Sequence, residues 1–145
     1  MVVGLSRQHH TYDLVETGRV FCLHLLDEAH LDWVWHFGLQ SGRDVDKFQG
    51  LAVRAGKTGC PVLTDAPAWL ECQVADRLNT GDRSLFLGDV VDAGQGKPGP
   101  LLTLKGLARL GPADKLRQLQ EHIARDRDAD ARAIQEWRKI YDHRT

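Results

Sequence analysis

Residues 69–91 constrain the fold more than any other part of this chain. From Trp69 to Leu78 the side chains alternate, with Leu70, Cys72 and Val74 on one side and Glu71 and Gln73 on the other, which is the period of a strand packed on one face. Asn79-Thr80-Gly81-Asp82 follows, four residues of turn chemistry. Ser84-Leu85-Phe86-Leu87-Gly88-Asp89-Val90-Val91 then returns. The pattern predicts a long antiparallel hairpin, and a single hairpin needs further strands or helices to bury its apolar face.

The rest of the chain supplies them. Val2 to Leu5 is a short apolar strand, and residues 10–17 a short helix with Gly18 as its stop. Residues 19–26 read as a buried strand rich in β-branched, aromatic and aliphatic side chains. Asp27 is a good N-cap for a helix that places Leu31, Val34, Trp35 and Gly38 on one face and ends at Gly38. Residues 51–54 and 61–63 are short extended pieces, residues 93–100 a Gly/Pro-rich loop, and residues 101–104 one more strand. Gly111-Pro112 starts a helical tail with stripes Leu116, Leu119, Ile123 and Ile134, Trp137, Tyr141. The apolar-free run Arg125-Asp126-Arg127-Asp128 between them leaves either one long exposed helix or two with a joint near Asp128. Strands in antiparallel order with inserted helices favour a mainly β fold, a β-barrel or α+β domain, over a doubly wound sheet.

Composition excludes several classes. At 145 residues with 42% apolar and 27% charged residues, the chain is long enough for one cored domain of ordinary globular make-up. A formal net charge of −1 gives no basic field for nucleic acid. No apolar run is long enough for a bilayer, so no membrane role is expected, and the start lacks the basic leader of a signal peptide. Cys22, Cys60 and Cys72 are odd in number and widely spaced, which suits neither a disulfide framework nor a zinc site and points to a reducing cytoplasm.

Two short motifs mislead. Asp27-Glu28-Ala29-His30 spells a helicase box, and Gly56-Lys57-Thr58 the end of a phosphate-binding loop. The loop motif requires glycine where Leu51 stands, and Pro61 interrupts the helix that must follow. His9, His10, His24, His30, His36, His122 and His143 include no pair at metalloprotease spacing, so no metal is expected.

Ser41-Gly42-Arg43-Asp44-Val45-Asp46-Lys47-Phe48 carries the most chemistry: a turn, two acids, two bases and an aromatic. Its charges alone suit a solvated surface. They also suit a polyanionic ligand held beside a flat ring.

Five segments resemble, in order, the flavin reductase family with its FMN-binding split barrel. They are Val3-Gly4-Leu5-Ser6-Arg7 with His10-Thr11-Tyr12-Asp13-Leu14-Val15; Gly18-Arg19-Val20-Phe21-Cys22-Leu23-His24-Leu25-Leu26; Phe37-Gly38-Leu39-Gln40 running into the Ser41 to Phe48 motif; Gly59-Cys60-Pro61-Val62-Leu63 with Trp69-Leu70-Glu71-Cys72; and Gly81-Asp82-Arg83 running on to Val91. The resemblance covers residues 2–104 and implies a split-barrel domain over residues 1–110 with a helical extension over 111–145. It further implies FMN as cofactor, hydride transfer from NADH or NADPH to flavin, a homodimer, and a flavin-dependent oxygenase or other electron acceptor as partner. The alternatives are a flavin-binding electron carrier without nicotinamide activity and a non-catalytic barrel that binds a partner. The cofactor-binding set expected from it is Arg7, His10, Thr11, Ser41, Arg43, Lys47 and Phe48, with Phe48 either near the ring or in the core. No catalytic side chain is expected, because the cofactor carries the hydride and the protein orients it.

The chain departs from the family pattern in three places. It begins inside what the resemblance makes the third barrel strand, so an N-terminally incomplete barrel is expected: a fragment, a misplaced start, or a sheet closed by dimerisation. His24 stands where the family usually has Asn, and Arg83 where His is common. Arg83 is either a ligand for a dinucleotide phosphate or a plain exposed hairpin arginine.

Overall fold

The hairpin forms, and it is longer than the alternation alone suggests. In the computed structural model, which describes residues 1–97 and 99–142, β5 (Ala68–Asn79) and β6 (Arg83–Gln95) pair antiparallel along almost their whole length. The turn between them is closed by Thr80 N–H donating to Arg83 O at 3.0 Å and by Gly81 N–H donating to Asn79 Oδ1 at 2.9 Å. Gly81 sits at φ +96°, in the left-handed region where glycine carries no Cβ penalty.

β1 (Val2–Ser6) pairs with β6, and β2 (Val20–Leu25) pairs with β5, both antiparallel. The result is a curled four-stranded sheet in the order β1-β6-β5-β2, a half-barrel. α1 (His10–Gly18) lies on one face and delivers Tyr12 and Val15 to a core with Phe21, Cys72, Val74 and Phe86. Phe86 and Cys72 are fully buried there.

The second face is covered too. β3 (Val53–Ala55) and β4 (Pro61–Leu63) form a separate small hairpin. Its Leu63 N–H donates to His24 Nε2 at 3.0 Å, and its tight turn lies over Glu71. Expected to face away from the apolar stripe, Glu71 does so, yet it is completely buried. The outer face of β5 is therefore roofed by residues 56–58 at this point rather than half-buried in the simple sense.

After β2 a 3-10 turn (Glu28–His30) leads into α2 (Leu31–Gly38). Asp27 caps it by accepting from Ala29 N–H at 2.9 Å and holds His30 Nδ1 at 2.6 Å, so the helicase-like string is a capping arrangement. α3 (Leu104–Leu110) and α4 (Ala113–Asp142) complete the chain. At 30 residues, α4 is one uninterrupted helix about 45 Å long.

Three expectations need correction. Residues 93–95 are strand, not loop, because Gly94 leaves room for the Trp69 ring: a Cβ there would come 2.5 Å from it. Residues 101–104 make only an isolated bridge, Asp27 to Leu101, before α3 begins. The left-handed residue that ends α1 is Arg19 (φ 58°), not Gly18. Arg19 tolerates that conformation because β5 holds it, with Val74 N–H donating to Arg19 O at 2.9 Å and Arg19 Nη2 donating to Val74 O at 3.3 Å.

Candidate functional site

β1 runs into α1 through residues 7–9, so Arg7, His10 and Thr11 surround the N-terminus of that helix. No side chain caps it: the N-cap is His9, whose side chain makes no capping bond. Free N–H groups at a helix start attract an anion. Arg7 lies 6.0 Å from the Tyr12 ring centroid, exposed, as is Thr11. His10 is half-buried, and its Nδ1 is buried without a hydrogen-bond partner. Its nearest carboxylate oxygen, on Asp13, is 3.8 Å away.

The second predicted segment folds against the first. Ser41 Oγ accepts from Arg43 N–H at 3.1 Å and Ser41 O accepts from Asp44 and Val45 N–H at 3.2 Å, which makes the compact turn. Gly42 is the point of contact: a Cβ there would sit 3.3 Å from His10 Cδ2 and 4.0 Å from Lys47 Cε. Arg43 reaches back over α1, donating to Asp13 Oδ2 and, at 3.4 Å, to Gln8 O.

Lys47 and Phe48 have local partners that the sequence did not reveal. Lys47 Nζ donates to Phe37 O at 2.6 Å, satisfying a carbonyl at the C-terminus of α2. Burial pushes the Lys47 ammonium below its usual pKa. His36 Nε2 donates to Lys47 O at 2.7 Å and fixes the same corner. Phe48 packs on Phe37 at 5.6 Å between centroids and remains part-exposed. Thus the structure brings six of the seven residues (Arg7, His10, Thr11, Ser41, Arg43 and Lys47) around the start of α1 and the Gly42 turn, with Phe48 adjoining through Phe37.

The donor set suits the phosphate end of a flavin nucleotide. It comprises an uncapped helix start, a buried imidazole nitrogen without a partner and Arg43, which reaches Gln8 O, with the Ser41 hydroxyl and the Lys47 ammonium on the adjoining Gly42 turn. Among the described residues no group of three or more His, Cys, Asp or Glu is placed to hold a metal ion; His143 lies outside the described residues. No helix among them is long and apolar enough to cross a membrane.

The sequence profile described as flavin reductase like domain matches residues 1–108, ending before α4. The chain belongs to that family. The high molecular weight rubredoxin of Moorella thermoacetica is 33% identical over 103 residues, spanning 68% of this chain and 45% of that protein. The ferric-chelate reductase (NAD(P)H) of Archaeoglobus fulgidus is 30% identical over 105 residues, 71% of this chain and 62% of that one. An FMN-binding protein from Thermus thermophilus, crystallised with p-hydroxybenzaldehyde, superposes with a TM-score of 0.61 at 33% identity, covering 65% of this chain and 53% of its own. The chain therefore spans about half to three-fifths of the length of these relatives.

Two features of this flavin reductase like domain escaped the motif reading. The Gly56-Lys57-Thr58 string does bind an anion with its backbone, but the anion is internal. Glu71 accepts from Lys57 N–H and Thr58 N–H at 2.7 Å each and from the Thr58 hydroxyl. Burial opposes ionisation of Glu71, and these hydrogen bonds together with nearby Arg54 outweigh it, holding the carboxyl below its usual pKa. The second feature is His24, whose Nε2 accepts the Leu63 N–H. Burial lowers its pKa and so favours the neutral ring, while the Leu63 N–H, by occupying Nε2, selects the Nδ1–H tautomer and pins β4 to β2. Cys22 stands 3.6 Å from the same nitrogen, and burial, then Cys60, Glu71 and Cys72, push its thiol up to about 12. It is an inert structural thiol at neutral pH.

Proposed function

We propose that this chain binds FMN through the α1 start and the Gly42 turn, and that the assembled protein passes hydride from NADH or NADPH to flavin. The observation that supports the reading is the meeting of His10, Gly42 and Lys47, which brings together two segments more than thirty residues apart in sequence. In this reading Arg7, His10, Thr11, Ser41, Arg43 and Lys47 grip the phosphate and ribityl chain, and Phe48 borders the ring. Arg43 and Lys47 exchange their present partners, Asp13 and Phe37 O, for the ligand. Bound flavin supplies the hydride chemistry; the protein supplies position and charge. Residues 1–110 form the flavin domain and 111–145 a helical extension. The working unit is a homodimer that hands electrons to a flavin-dependent oxygenase or another acceptor.

Substituting Lys47→Ala is expected to weaken FMN binding about tenfold, the worth of one charge-assisted hydrogen bond. Quenching of flavin fluorescence on titration measures it, and equal affinity in the two proteins removes Lys47 from the site. One observation favours a second reading, a flavin-bound electron carrier that does not use nicotinamide. Arg83, the candidate for a dinucleotide phosphate, is already paired with Asp82 at 2.6 Å and Asp130 at 3.3 Å. Oxidation of NADH with added FMN separates the two: turnover supports the reductase, and flavin binding without turnover supports the carrier.

A further inference from the structure

α4 lies beyond the residues matched by the family profile, yet it is fastened to the loop that starts α1. Asp126 Oδ2 is 3.0 Å from His9 Nε2. One helical turn on, Asp130 Oδ1 accepts from Gln8 Nε2 and Asp130 Oδ2 accepts from Arg83 Nη2, both at 3.3 Å. Residues four apart share a helix face, so two carboxylates point together at the loop whose next residues are His10 and Thr11. A further turn along, the helix rests on the β5–β6 turn so closely that a Cβ on Gly81 would come 2.8 Å from Trp137 Cβ and 3.2 Å from Ala133 O.

We infer that α4 is an internal anionic strap: Asp126 and Asp130 occupy His9, Gln8 and Arg83, and must yield before a phosphate-bearing ligand settles at the start of α1. The inference rests on the reading of that corner as the FMN phosphate site. Two acceptor-rich carboxylates offer the loop the same charge and hydrogen-bond capacity as a phosphate dianion. Pairs as exposed as His9 with Asp126 are weak singly, so the carboxylates release without unfolding the domain. The close approach of the helix to Gly81, at Trp137 Cβ, the Ala133 carbonyl and Ile134 Cα, keeps it attached when they do. The strap would therefore set the ligand threshold of the site and make it dependent on salt.

The test is FMN titration of the full chain beside Asp126→Asn/Asp130→Asn, at low and high salt. The double variant is expected to bind about three- to tenfold tighter at low salt, with the gap closing at high salt. Hydrogen exchange of the unaltered chain is expected to speed up over residues 122–132 when FMN is added. If the double variant does not fold, Asp126→Asn alone carries the same prediction at smaller size. Equal or weaker FMN binding by the folded variant overturns the strap and leaves the FMN site standing. No FMN binding by either protein, both folded by circular dichroism, overturns the site and the strap together.

Discussion

Glu71→Ala is expected to lower the unfolding free energy by about 2–4 kcal/mol, measured by urea unfolding at neutral pH. Glu71 has no exposed surface, and its carboxylate is the acceptor for the N–H groups of Lys57 and Thr58 and for the Thr58 hydroxyl. Truncation leaves three part-buried donors facing a cavity in place of their common acceptor, so the cost adds the lost hydrogen bonds to the emptied volume. The loss is larger than for removing an exposed ion pair such as Arg109 with Glu28, which is worth a fraction of that. Acid should erase part of the difference. The folded-state pKa of Glu71 is depressed, so its contribution is complete above the ordinary glutamate value of about 4.3 and fades as pH falls through the lower folded value. The unaltered protein should thus lose stability in that acid window more steeply than Glu71→Gln. Parallel acid curves for the two would mean that the carboxylate is not held as the geometry indicates.

Phe86→Ala is expected to cost about 3–5 kcal/mol. Phe86 is fully buried in the first third of β6, paired across to Val3 on β1 and Arg77 on β5, with its ring 5.8 Å from that of Tyr12. With Phe21, Cys72 and Val74 it forms the core on which Tyr12 and Val15 of α1 pack. Emptying the position leaves a void under Tyr12 and Val15, and the helix start that lies above them loses its seat. Near-UV circular dichroism and the urea midpoint report the loss of packing. A shift comparable to that of a surface change would show that α1 is held by the loop contacts of Arg43 instead. In the proposed reading, FMN affinity falls together with stability in this variant, whereas Lys47→Ala reduces affinity with a much smaller loss of stability.

The hairpin, α1, β2 and the tail were legible because each is a local pattern: a period of two, a period of 3.6, a cap or a turn. What was not legible depended on residues far apart. Nothing near Glu71 tells that residues 56–58 fold over it. Gly94 reads as a loop former until Trp69, on the neighbouring strand, is seen to need its space. Residues 101–104 are too short an apolar run to tell strand from helix start. Along α4, the run Arg125-Asp126-Arg127-Asp128 left one helix or two open, and nothing local showed that Asp126 and Asp130 face His9 and Gln8 across 117 and 122 residues of sequence. In the candidate site, the turn and the charges of Ser41 to Phe48 were visible in the sequence, and the contact of Gly42 with His10 was not. The partners of Arg43 and Lys47 were hidden for the same reason: Asp13 and the Phe37 carbonyl carry no motif.

The carboxylate of Glu71 fills the space that any side chain at position 56 would need. A side chain at position 56 and the acid at position 71 therefore exclude each other. Where a homologue has replaced the acid with a smaller neutral residue, the opposing position is released and is expected to accept alanine or serine; where the acid persists, glycine persists with it. Either change made alone passes through a damaged protein, so the two positions are expected to co-vary across homologues.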